Sequence, residues 1–106
     1  MTHSNELFSE QFRLAAEEWC DCEAAARLLE ESKSSVLARK MAALGDVPVS
    51  HAERDVKASD EWSEYIQQMC GARADADRAK IQVEYIRMRY WEQQGHEASK
   101  RAEMRL

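Results

Sequence analysis

The run Arg87-Met88-Arg89-Tyr90-Trp91 is where residue types capable of recognition crowd closest together. Arg73, Arg78 and Lys80 precede it, and Lys100, Arg101 and Arg105 follow. Guanidinium groups hold phosphates and aromatic rings stack on unpaired bases, so the mixture suits a single-strand-binding surface. Arg73, Lys80 and Arg87 are spaced seven apart, which makes a basic ridge on one helix face, with Arg89 beside it. Against this, Asp77, Glu84 and Glu92 interrupt the charge, and the formal net charge of the chain is −5. Nucleic-acid binders usually concentrate positive charge, so binding through Arg73, Lys80, Arg87 and Arg89 is the alternative reading, not the leading one.

Catalytic and metal chemistry find less support. Glu17-Glu18 and Glu30-Glu31 are carboxylate pairs, but neighbours on a helix diverge and frame no pocket. Neither GxGxxG nor GxxxxGK occurs, so Gly71 opens no phosphate-binding loop. Cys20 and Cys22 point in well-separated directions on a helix, and His3, His51 and His96 have no ligand spacing with them or with Cys70. The expectation is therefore no enzyme, no metal and no cofactor. Three cysteines with no recognisable secretory signal ahead of them are expected to be reduced, buried or half-buried thiols of a cytoplasmic protein. No apolar run approaches membrane-spanning length.

What must position these groups is helical. Phe8, Phe12, Ala15, Trp19, Cys22, Ala26 and Leu29 recur at alternating steps of four and three, an apolar seam on one side of a helix. The seam meets Lys33 and resumes one position later at Leu37, Met41 and Leu44, the drift of a straight helix against a seven-residue repeat. A second seam runs Trp62, Ile66, Met69, Ala72, Ala76, Ala79, Val83, Ile86 and Tyr90. The spacing predicts helices over about 5–44 and 60–104, with a short helix within about 46–58. Gly45 fits a left-handed C-cap, with Pro48 preventing continuation. Ser50 has capping-box spacing to Glu53, and Ser59-Asp60-Glu61 is a further helix start.

Folding back at this connection gives an antiparallel all-α hairpin in a single domain. Placing Leu44 opposite Asp60 brings Ala24, Ala25 and Ala26 against Ala72, Ala74, Ala76 and Ala79, so the backbones approach closely. The same register sets Trp19 near Tyr85 and Ile86, and Phe12 near Trp91. The core of the hairpin or of its oligomer is then expected to be Phe8, Phe12, Trp19, Ala26, Leu29, Trp62, Ile66, Met69, Ala76, Val83, Ile86 and Tyr90. Leu7, Leu14, Cys20, Leu28, Val36, Tyr65, Cys70, Tyr85, Met88 and Trp91 lie off these seams and widen the apolar face beyond one partner's reach. Association into a dimer or larger bundle is the expected remedy.

Charge divides between the helices. Residues 1–32 carry eight acidic and two basic side chains, whereas residues 71–106 carry six acidic and eight basic ones. Glu10, Glu17, Asp21 and Glu31, with Glu6 ahead of them, form an acidic face open to a protein partner with basic groups. Trp19, Tyr85 and Trp91 would line a small-molecule pocket if one forms between subunits.

The segments Val56-Lys57-Ala58-Ser59-Asp60-Glu61-Trp62, Ala72-Arg73-Ala74-Asp75-Ala76-Asp77 and Ala98-Ser99-Lys100-Arg101-Ala102-Glu103-Met104-Arg105 resemble small all-helical accessory proteins encoded by phages and prophages of proteobacteria. The resemblance covers roughly the C-terminal half. It implies a non-enzymatic protein acting in the bacterial host cell, for recombination or as an inhibitor in counter-defence, and it carries no site residues. The leading expectation is a homo-oligomer that docks a host or phage protein through its helix faces. Its alternatives are a DNA-recombination accessory and a small-molecule binder at a subunit interface. Reversing the charge of Arg87 and Arg89 should abolish salt-sensitive binding to labelled single-stranded DNA if the recombination alternative holds; fluorescence anisotropy at low and moderate salt checks it.

Overall fold

The computed structural model describes residues 7–105. These form three helices, α1 (Phe8–Ala43), α2 (Val49–Lys57) and α3 (Asp60–Met104), with no strand among the described residues. The expected start of the first helix near residue 5 lies outside the described residues, and Leu7 precedes α1. No helix of the described residues is long and apolar enough to cross a membrane.

Local chemistry sets the boundaries. Gly45 has a φ of +82°, the left-handed conformation that a Cβ disfavours, and its N–H donates to the Ala42 carbonyl at 3.1 Å. Ser59 starts α3: its Oγ accepts the Trp62 N–H at 3.2 Å and donates to the Val56 carbonyl at 2.6 Å. One hydroxyl thus caps α3 and ties off α2, while Asp60 and Glu61 sit against the positive end of the α3 dipole. The expectation for Ser50 is corrected. Pro48 occupies the N-cap of α2, without a side-chain cap bond, and Ser50 lies within the helix. Proline's fixed φ, here −55°, suits entry into a helix, and its missing N–H is no loss there.

The helices partition into two compact units. One contains Cys22–Ala76, that is, the C-terminal part of α1, all of α2 and the start of α3. Here Ala26 and Ala76 are fully buried, and α2 turns Ala52 and Val56 inward beside Trp62. Trp62 stacks on Tyr65 at 5.6 Å between centroids, and the Tyr65 hydroxyl donates to the Leu29 carbonyl. Leu29, Ile66 and Met69 are half-buried. Lys40 reaches Glu61 at 3.5 Å.

The other unit joins α1 up to Asp21 with α3 from Asp77. Ala79, Val83 and Ile86 are buried, Phe8 and Trp19 half-buried. Gln11 is the buried polar residue, 7% exposed, and Arg89 donates to its Oε1 at 3.5 Å. Phe8 meets Tyr90 edge to face at 5.8 Å.

Three expectations change. In both units α3 is displaced by about one helical turn from the expected register, because Lys40 rather than Leu44 stands at the level of Glu61, and Phe12 faces Arg87 rather than Trp91. The nine-residue α2 separates the long helices at the connection, and Leu44 stays 44% exposed. Second, the alanine match is narrower than expected: Ala24 and Ala25 are exposed, and Ala72 and Ala74 half-buried. Third, Phe12 and Tyr90, expected in the core, keep 37% and 38% of their surface in solvent. Two helices cover only a narrow strip of each other, and wide rings at its edge stay partly wet.

Ser59→Ala should lower unfolding free energy by about 1 kcal/mol, whereas Ser50→Ala should leave it nearly unchanged; urea denaturation followed by circular dichroism separates them. Ala26→Leu should cost about 1–3 kcal/mol by forcing apart a site with no free volume, read in the same assay.

Candidate interaction site

Arg73 is the most densely bonded side chain described. It lies on α3 beside the seam, half-buried, and reaches across to two glutamates of α1 that are seven residues apart. Its Nη1 and Nη2 donate to Glu23 at 2.9 Å, while Nε and Nη2 donate to Glu30 at 2.9 and 2.8 Å. A planar guanidinium with fixed forks suits this double bidentate geometry, which an ammonium would not match. Hydrogen bonds from Arg73 hold both carboxyls below their ordinary range and push the guanidinium pKa further up. Arg73 is therefore a clamp inside one unit, bonded across the seam to both glutamates. Glu23 and Glu30 were not among the expected site residues, although their spacing of seven along the edge of the α1 seam is the signal that marks them.

The acidic face is also partly self-satisfied. Glu10 accepts from Arg13 Nε at 3.1 Å and Glu17 from Arg13 Nη1 at 2.8 Å, all three being exposed or half-exposed. The bonds from Arg13 lower the Glu10 pKa. Exposed pairs along one helix are screened by solvent, so they tie up charge more than they stabilise. Asp21 and Glu31 are exposed. Cys20 and Cys70 are exposed as well and only Cys22 is half-buried, which corrects the expectation for the thiols: each of the two exposed residues points away from its seam.

The unit that holds the C-terminal part of α3 gathers the remaining candidates. Lys80 and Arg87 are exposed, and the Arg87 guanidinium lies over the Phe12 ring at 5.6 Å. Arg89 is half-buried between the rings of Phe8 and Tyr85, at 5.6 and 5.8 Å. Both arginines are thus held against aromatic faces, where the ring quadrupole attracts the cation. Trp91 meets Tyr90 at 5.4 Å and is 65% exposed. Trp19, half-buried on the α1 seam, shares no ring contact with Tyr85 or Trp91 among the described residues.

A feature absent from the expected sites lies on the outer side of α3. Ile81, Tyr85 and Met88 follow at steps of four and three and are all more than half exposed. Val83 and Ile86, buried, point the opposite way, since two residues along a helix turn by about 200°. The second stripe was legible only as scattered apolar residues, because its members alternate with Gln82, Glu84 and Arg87.

Arg73→Met should flatten the acid limb of the stability profile. The carboxyls of Glu23 and Glu30 are depressed in the folded state, so their contribution is present above the ordinary carboxylate value near 4.5 and is lost as pH falls below it. Wild type should therefore lose thermal stability more steeply than the variant below that pH; melting curves across the acid range measure it.

No protein-family model, curated protein or solved structure matches this chain, so its role is read from these surfaces.

Proposed function

We propose that this chain is a non-enzymatic, self-associating helical protein of the phage-accessory kind, acting by docking helix faces onto a macromolecular partner. The observation that carries the reading is the second apolar stripe of α3, with Ile81 62%, Tyr85 53% and Met88 59% exposed opposite the buried Val83 and Ile86. A helix apolar on two opposite sides has use for two partners, and α1 covers one of them. Covering an exposed side chain of this size contributes about 1.5–3 kcal/mol before the cost of association. A second copy offering the same stripe is the simplest cover, because symmetric pairing presents each patch to its equal.

Two further observations agree. One arginine of the expected basic ridge, Arg73, is engaged within the chain by two carboxylates, which takes weight from the nucleic-acid alternative. The helix-rich, charge-rich C-terminal half that resembles phage accessory proteins contains the stripe.

Light scattering coupled to size exclusion should give a mass at least twice the 12.2 kDa of one chain. Ile81→Glu with Met88→Glu should return the monomer without loss of helical circular dichroism. A wild-type protein that remains monomeric at all accessible concentrations sinks the proposal.

A further inference from the structure

We infer that the groove between the start of α1 and α3, in the unit that contains Arg87, is a docking site for a protein segment presenting a carboxylate beside an apolar side chain. Its lining is Phe8, Ser9, Phe12, Ile86, Arg87 and Tyr90, around an open volume of roughly 370 Å³. That size falls in the range of natural ligand sites and admits one or two side chains. Ile86, 5% exposed, forms the apolar floor. Phe8 and Tyr90 meet edge to face at 5.8 Å, and with Phe12 they supply three rigid rings that lose little entropy on binding.

The polar side of the groove is selective. Among the described residues Arg87 is its one charged lining residue, and none of them carries negative charge. The Arg87 guanidinium carbon lies over the Phe12 ring at 5.6 Å, a cation–π contact that uses none of its N–H groups as hydrogen-bond donors to oxygen. Among the described residues no carboxylate pairs with Arg87. Arg13 and Arg73 behave differently: Arg13 takes Glu17 at 2.8 Å, and Arg73 takes Glu23 at 2.9 Å and Glu30 at 2.8 Å. The groove therefore offers what those two sites have already filled, a guanidinium fork for one carboxylate, set against aromatic walls.

Charge argues for a protein segment over a nucleic acid. A carboxylate brings a single negative charge to a single guanidinium, whereas a strand brings one at every nucleotide to a chain of net charge −5. Arginine and aromatic residues in a part-covered pocket are also the composition of protein-binding hot spots. The groove lies on the seam side of α3, away from Ile81 and Met88, so its occupancy is separable from self-association.

The test uses the full chain, ¹⁵N-labelled, titrated with two blocked tetrapeptides, EFLE and KFLK, identical in their apolar residues and opposite in charge. EFLE should produce saturable shifts at the amides of residues 8–12 and 86–90 and at Arg87 Nε, and KFLK should bind at least about tenfold more weakly. Arg87→Gln should weaken EFLE by a similar factor, and leave the self-association mass unchanged. Equal responses to both peptides, no saturable shift at millimolar peptide, or tighter binding of oligothymidylate at the same residues would overturn the assignment. Because the peptide comparison runs on the unaltered protein, a folding defect in the variant does not blunt it.

Discussion

Two packed helices can cover only one narrow strip of each other, and every other property of this protein follows from how little that strip holds. Its fully buried residues are alanines, Ala26 and Ala76, and no large side chain among the described residues is completely shielded. Alanine allows close backbone approach but removes little apolar area from water, so the gain per residue is small. Larger buried side chains are few: Trp62 in one unit, and Val83 with Ile86 in the other. The rings at the strip's edges, Phe12 and Tyr90, are left partly in solvent.

A sparse seam of small residues also specifies register weakly, since sliding one such stripe along another exchanges like for like. Polar cross-links supply what alanine cannot. Arg73 bonded to both Glu23 and Glu30 has one position on α1 that satisfies it, and Tyr65 reaching the Leu29 carbonyl fixes a second point in the same unit. In the other unit Arg89, held between Phe8 and Tyr85 and donating to Gln11, does the equivalent. Such half-buried pairs contribute more to which alignment wins than to how stable it is.

The same shortage of covered surface explains why function is sought on faces and not in a cleft. With one side of α3 committed to α1 in the unit that contains Arg87, the stripe through Ile81, Tyr85 and Met88 and the aromatic groove beside Arg87 are surfaces left over from that pairing. Both are built from residue types that gain by being covered, and they lie on different sides of one helix.

Helix existence, helix ends and the apolar seams were legible in the sequence, because they depend on interactions within a few residues. The four-three spacing from Phe8 to Leu29 and from Trp62 to Tyr90 needs only helical periodicity, and Gly45 and Ser59 act on backbone groups three or four positions away. Register was not legible. It depends on the room α2 takes at the connection and on which carboxylates Arg73 finds, both matters of distance between segments remote in sequence. For the same reason the basic ridge looked uniform as a sequence. Only the tertiary structure distinguishes an arginine locked between two glutamates from one lying over a ring, because the partners that decide it are remote along the chain.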